Sequence, residues 1–386
     1  MRRLIAAAAA VVAVMAAPAG AAQPDVTAGG AVLWDPADDR VLWGEGERKP
    51  LQPASTTKIM TVLLALEAGT IDDRVTVSAK AVKVARSPGA ATLNLTAGQR
   101  IAMRSLLAGL ILRSGNDGAV AVAEHVAGSE GAFVDRMNAR AAELGMTDTN
   151  FINASGLTES PKHHASALDL AKLAEVALRN DDFATWASAP ALSLDGLGSL
   201  TSRNELLGRY RGATGVKTGY TDVAGLCLVA SARRGGRALV AVVLQATGGL
   251  GAATHFTESA AILDHGFSDF RRAQPLRRGD RPLRYRWSDL EVPLEAATAI
   301  GRTVAADEEA RWRVLLDPAP QRPLQRGAAL GVVELMVDGE VVDSAALTAA
   351  RPVAAAPDLT GTEGAGAAVE DALRVFARMH ADDRAA

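Results

Sequence analysis

The sequence predicts an α+β fold: an antiparallel sheet assembled from the two ends of a domain spanning 23–268, covered by an α-helical cluster, with a small β-rich domain following at 275–355. Three observations predict it. Strand-like apolar runs stand at both ends of the first stretch, at 31–34 with 40–43 and again from 214 to 245. The text between them is helical in composition. Past Phe270 an Arg- and Pro-rich passage gives way to short alternating segments around Asp338-Gly339, a dipeptide that favours a tight hairpin.

Taken in order, the chain opens with Arg2 and Arg3, an apolar run over 4–17, Pro18 and the small residues 19–22. Charge, apolar core and small-residue site in that order read as a cleavable signal peptide over 1–22, which predicts an exported, extracytoplasmic protein. At 31–34 and 40–43, two apolar runs around the turn formers Asp35-Pro36-Ala37-Asp38-Asp39 read as a hairpin. Residues 59–67 suit a buried helix that stops near Gly69, and the hydroxyl cluster Ser55-Thr56-Thr57 stands at its N-terminal end. Helical stretches follow at 103–112 and 119–126, joined through Arg113-Ser114-Gly115-Asn116-Asp117-Gly118, then at 132–144 and 167–178. From Thr214 the pattern becomes β, in runs 214–220, 224–232 and 238–245 whose short connections imply antiparallel neighbours. A helix over 254–267 closes the domain. Beyond the β-rich part, a linker at 356–366 leads to a tail helix at 367–381. Its stripe of Val369, Ala372, Leu373, Phe376 and Met379 suits either docking or peripheral contact with the inner membrane, although Asp382-Asp383 would oppose anionic lipid.

Bulk properties exclude whole classes. With 48% hydrophobic and 22% charged residues, the 386-residue chain is neither disordered nor a polytopic membrane protein. A net charge of -3 lacks the basic footprint that nucleic acid requires. Cys227 is the single cysteine, so no internal disulfide can form, and its apolar run reads as buried packing.

Three short motifs carry the chemistry: Ser55-Thr56-Thr57-Lys58, Ser114-Gly115-Asn116 and Lys217-Thr218-Gly219. Each alone is weak, since Ser55 could be a helix cap, Ser114-Gly115-Asn116 a turn and Lys217-Thr218-Gly219 the end of a strand. Together they make a site. A nucleophilic serine needs a base within hydrogen-bond reach, and residues i and i+3 of a helix share a face, so Ser55 and Lys58 point into one cleft. At the helix start the backbone N–H of Ser55 is an orphan donor able to hold an oxyanion. The base is a lysine in a chain with seven lysines and 34 arginines. A guanidinium does not deprotonate in proteins, whereas a buried ammonium near another cation can be brought toward neutrality.

The order and flanks of these motifs resemble the low-molecular-mass penicillin-binding proteins, specifically the serine D-alanyl-D-alanine carboxypeptidases, over about residues 25–268. Pro53-Ala54 before Ser55, Leu112-Arg113 before Ser114, Asp117 after Asn116, and Gly215-Val216 before Lys217 strengthen the likeness. The resemblance implies a β-lactamase/transpeptidase-like domain with a β-rich domain after it, no cofactor and no metal. It also implies that the terminal D-alanine of peptidoglycan stem pentapeptides leaves from an acyl-enzyme, and that β-lactam antibiotics acylate the same group. Residue by residue, the resemblance implies that Ser55 would be the nucleophile, Lys58 its base and Ser114 the proton relay to the leaving amine. By the same likeness Asn116 would hold the substrate amide, Lys217 and Thr218 would bind the terminal carboxylate, Gly219 would permit close approach, and Arg203 would add a second carboxylate contact. The backbone N–H groups of Ser55 and Tyr220 would form the oxyanion hole. Relatives often carry His where this chain has Tyr220, which bears on the rate of deacylation rather than on the reaction type.

Rival readings have features of their own. A class A β-lactamase wants a deacylating glutamate, and no E-x-x-L-N segment lies between Asn116 and Lys217. A D,D-endopeptidase would use the same residues on a cross-linked peptide, and a noncatalytic cell-wall-peptide-binding protein would keep the fold without turnover. No G-x-S-x-G elbow suggests a Ser-His-Asp hydrolase. His163 and His164 near Asp169 could suggest metal ligands, but adjacent histidines point apart, and no metal is expected.

Overall fold

The computed structural model describes residues 23–84, 86, 90–248, 252–287, 290–317 and 323–353. The segment 1–22, the linker 356–366 and the tail helix 367–381 lie outside the described residues. The chain divides into two compact units between Ser268 and Asp269.

The first unit begins with the expected hairpin, β1 (Gly30–Asp35) and β2 (Arg40–Glu45). A 3-10 turn over Ala54–Thr57 runs straight into α1 (Lys58–Glu67). Next come β3 (Arg74–Thr76), α2 (Ala79–Val84), β4 (Arg100–Ala102), α3 (Met103–Arg113), α4 (Asn116–Ala127) and α5 (Glu130–Glu143). After α6 (Ala167–Leu178) and α7 (Asp181–Ser188), a small hairpin of β5 (Ala191–Leu194) and β6 (Gly198–Thr201) leads to the second half of the main sheet. That half is β7 (Ala213–Thr221), β8 (Gly225–Arg234) and β9 (Arg237–Ala246), closed by α8 (Thr254–Ser268).

The main sheet is antiparallel in the order β2-β1-β9-β8-β7, so the two ends of the unit meet where β1 pairs β9. Strand alternation sorts its two faces. A methyl group on Gly266 of α8 would meet Leu239 and Leu33, which puts those residues on the α8 side. Their neighbours Val32, Trp34, Val240 and Val242 belong to the other side's core with Leu170 and Ala174 of α6. There the Trp34 indole N–H donates to Glu175 at 2.7 Å. Helices on both faces explain why β1 and most of β8 are buried continuously rather than at every second residue. Each aliphatic side chain so enclosed contributes about 1.5–3 kcal/mol. β7 is left as an edge strand, open on the side that faces the 3-10 turn.

The connection between α3 and α4 is shorter than the expected Arg113-to-Gly118 passage. Only Ser114 and Gly115 lie between the helices, because Ser114 adopts the left-handed conformation (φ 67°) and Asn116 already opens α4. The αL residue ends α3 by donating its N–H to the carbonyls of Gly109 and Leu110, which would otherwise lack partners.

The second unit is β throughout its described residues. β10 (Phe270–Leu276) pairs β13 (Ile300–Ala305), and β11 (Leu283–Trp287), β12 (Leu290–Ala296), β14 (Ala310–Leu316), β15 (Ala329–Val337) and β16 (Glu340–Ala349) form a sheet in the order β11-β12-β16-β15-β14. Asp338 (φ 49°) and Gly339 (φ 89°) make the turn between β15 and β16, the pair of positive φ values that a two-residue hairpin of matching twist needs.

Candidate active site

The structure brings the three motifs together, with a fourth element behind them. The Ser55 turn precedes α1, the Ser114-Gly115-Asn116 corner joins α3 to α4, the lysine motif lies on β7, and the loop 153–157 closes the back. Lys58 is the hub. Its Nζ lies 2.8 Å from Ser55 Oγ and donates to Asn116 Oδ1 at 2.8 Å and to the Ser155 carbonyl at 2.6 Å. The 3-10 turn produces the first contact, since residues i and i+3 eclipse there. Ser55 is half-buried while Lys58 is wholly enclosed. Burial, then the charges of Lys217 and Arg203, hold the Lys58 ammonium well below the usual lysine range, against an opposing pull from Asp117.

Ser114 is buried, and its Oγ has no hydrogen-bond partner among the described residues. Asn116 and Lys58 are joined as described. Asp117, named above only as a flank of the motif, receives the backbone N–H groups of Leu93 and Leu95 and the Thr92 hydroxyl. It thereby hangs the segment 92–95 from the start of α4, where a carboxylate also suits the helix dipole. Leu93 seats in a slot made by glycines: methyl groups on Gly109, Gly115 and Gly118 would approach its side chain to 2.9, 2.4 and 2.9 Å.

On β7, Lys217 is buried and donates to the Thr218 carbonyl at 2.8 Å. Burial and then the charge of Arg203 lower its pKa to about 7. Arg203 itself reaches solvent, with its N–H on the Leu112 carbonyl at 3.1 Å, just before Ser114. Its charge acts on both buried lysines. Thr218 and Tyr220 are half-buried, and the Tyr220 hydroxyl donates to Asp222 at 2.9 Å. Gly219 meets the Ser55 turn most closely: a methyl group there would lie 3.0 Å from the Pro53 carbonyl oxygen and 3.1 Å from the Ser55 nitrogen.

The two histidines weighed as metal ligands part company. His164 Nδ1 lies 3.1 Å from the Pro161 carbonyl, while His163 is buried behind the Ser55 turn, 2.8 Å from Thr57 Oγ1. Their separate partners follow from adjacent residues pointing apart.

An α+β domain with a serine and a buried lysine at a helix start, a second serine at a helix–helix corner, and a lysine on the facing sheet edge defines an active-site-serine hydrolase of the penicillin-binding fold. The family model for D-alanyl-D-alanine carboxypeptidases, peptidase S11, matches residues 17–248. The chain belongs to that family and is a serine-type D-alanyl-D-alanine carboxypeptidase, a hydrolase acting on the cell wall. It is 33% identical to the D-alanyl-D-alanine carboxypeptidase DacF of Bacillus subtilis over 351 residues, 85% of either chain. With DacD of Escherichia coli the identity is 35% over 266 residues, 67% of this chain and 68% of that one. Among solved structures, penicillin-binding protein 5 from Haemophilus influenzae superposes with a TM-score of 0.68 at 29% identity, covering 87% of this chain and 100% of its own.

Proposed function

We propose that the chain removes the terminal D-alanine of peptidoglycan stem pentapeptides through an acyl-enzyme on Ser55, that Lys58 is the base, and that penicillins acylate the same oxygen. The observation that carries this is the threefold environment of the Lys58 amine. A neutral amine has two N–H bonds and one lone pair. Asn116 Oδ1 and the Ser155 carbonyl, which can only accept, take both protons, and the lone pair is left for the hydroxyl of Ser55. Burial beside two further cations favours that neutral form.

Ser55 Oγ attacks the carbonyl of the penultimate D-alanine as its proton passes to Lys58. The developing oxyanion is held by the N–H groups of Ser55 and Tyr220, donors whose individual loss costs on the order of 3 kcal/mol. The C–N bond then breaks, and the leaving amine takes a proton through Ser114 Oγ, a buried hydroxyl with no other partner among the described residues. Water hydrolyses the ester and returns the proton to Ser55. Lys217, Thr218 and Arg203 bind the substrate's terminal carboxylate, Asn116 its amide, and Gly219 lets the extended peptide lie against β7. The reading includes export directed by 1–22, a periplasmic or wall-facing site of action, and peripheral membrane contact through 367–381.

The test is release of D-alanine from a pentapeptide ending in D-Ala-D-Ala, beside labelling by a fluorescent penicillin. Both are expected in the unaltered protein, and both are lost in Ser55→Ala while the thermal transition is kept. Labelling without D-alanine release points to a noncatalytic peptide-binding protein. Labelling retained in Ser55→Ala moves the nucleophile elsewhere.

A further inference from the structure

The turn that presents Ser55 is held in an unfavourable shape. Ala54 has φ 46°, a left-handed conformation that a residue with a Cβ avoids. Such a conformation persists only where surrounding contacts over-determine it. The contacts are specific. Thr57 Oγ1 donates its one proton to the Ala54 carbonyl at 2.8 Å. Gly156 is pressed against the same carbonyl, where a methyl group would stand 1.8 Å from the oxygen.

His163 completes the arrangement, and its hydrogens can be assigned. Nδ1 accepts the N–H of Ile152 at 3.1 Å, so the ring proton is on Nε2, which donates to Thr57 Oγ1 at 2.8 Å. A single chain of donors therefore runs from the Ile152 N–H through the imidazole and the Thr57 hydroxyl to the Ala54 carbonyl, next to Ser55. Protonating the ring would set a second N–H against that of Ile152. Burial, then His164 and Lys58, lower the pKa of His163 to about 4, which keeps the ring uncharged at neutral pH. The ring edge packs on Phe151, with centroids 5.7 Å apart.

We propose that His163 is a positioning residue for the reaction at Ser55: through Thr57 it fixes the turn that aims the nucleophile, and through Ile152 it ties that turn to the loop whose Ser155 carbonyl accepts from Lys58. The inference rests on the reading of Ser55 as nucleophile. It gives His163 no contact with substrate and no proton transfer. Its effect is geometric, on the distance and angle of Ser55 Oγ to the carbonyl attacked, and small misplacements of that kind are expensive in rate.

The experiment is acylation by a fluorescent penicillin in rapid-mixing kinetics, resolved into encounter affinity and acylation rate, with active sites counted from the labelling endpoint. His163→Leu and Thr57→Val are each expected to slow acylation per active site by about tenfold to a hundredfold. The carboxylate-binding elements are untouched, so encounter affinity stays within about twofold of the unaltered protein. His163→Gln, whose amide nitrogen reaches the place of Nε2, restores most of the rate, as does Thr57→Ser. The double variant is no slower than the slower single one, because both cut the same chain. A rate per active site in His163→Leu equal to the unaltered protein's, or multiplicative losses in the double variant, overturns the inference alone. If His163→Leu does not fold, Thr57→Val against Thr57→Ser decides, and equal rates for that pair overturn it. Absence of acylation in the unaltered protein overturns the assignment of Ser55, and this inference with it.

Discussion

Gly219 and Ser55, on different elements, approach so closely that a methyl group on the one would lie 3.1 Å from the backbone nitrogen of the other. The gap between β7 and the Ser55 turn is thus set by a hydrogen atom. Gly219→Ala would also crowd the Pro53 carbonyl at 3.0 Å and Ala54 Cβ at 3.2 Å, so strand or turn must give by a few tenths of an ångström. The expected result is a loss of about tenfold or more in penicillin acylation rate, with a far smaller change in the thermal transition, read by rapid mixing and by calorimetry.

Lys58→Arg separates charge from basicity. The guanidinium cannot take the Ser55 proton at any working pH, and it must fit where a wholly buried lysine makes three contacts. Acylation should fall by at least about a hundredfold. In the unaltered enzyme the acylation rate should decline on the acid side with a slope of one decade per pH unit, as Lys58 gains the proton that blocks it. A flat acid limb, or an active arginine variant, contradicts the neutral-base reading.

Ser114→Ala should divide stability from activity. Its Oγ is buried without a partner among the described residues, so its removal relieves a desolvated hydroxyl and leaves only a small gap. The melting temperature is expected to hold or rise. D-alanine release should nevertheless drop by about a hundredfold, the usual scale for a positioned proton-transfer group.

Lys217→Met should stabilise the protein in a pH-dependent way. The lysine is buried with its pKa lowered to about 7, against an ordinary value near 10.4 in the unfolded chain. Below pH 7 both states carry the proton, and the fold bears the full cost of a buried cation. Between pH 7 and about 10 the folded state sheds the proton while the unfolded state keeps it, so the cost fades as pH rises. The variant's advantage in melting temperature, about 2–4 °C for each kcal/mol recovered, should be largest at pH 6 and shrink toward pH 10. Thermal scans at three pH values measure it.

Much of this site was legible in the sequence because its chemistry needs particular side chains at short spacing. Ser55 with Lys58 and the corner at Ser114 to Asn116 are local in sequence, and Gly219 stands out as a glycine within a strand. The supporting residues were not legible, for reasons of distance. Asp117 acts on Thr92, Leu93 and Leu95, more than 20 positions away, and His163 reaches Thr57 across 106. Gly156 follows Asn153, whose side chain accepts the N–H groups of Ser155 and Gly156 in a local turn, a pattern that marks a loop without saying what the loop touches. The small pieces β3 with β4 and β5 with β6 escaped because strands of three or four residues offer no alternation to read. The left-handed Ser114 escaped because nothing in a serine announces that conformation.

Cys227, near the start of β8, carries a last consequence. Its side chain is fully enclosed and burial pushes the thiol up to about 12, so almost no thiolate exists at neutral pH and reagents have no path to it. The folded enzyme is therefore silent toward maleimides as it stands. A single cysteine engineered at the mouth of the cleft would be the one reactive thiol, and a fluorophore attached there would report each acylation cycle without any native residue having to be removed.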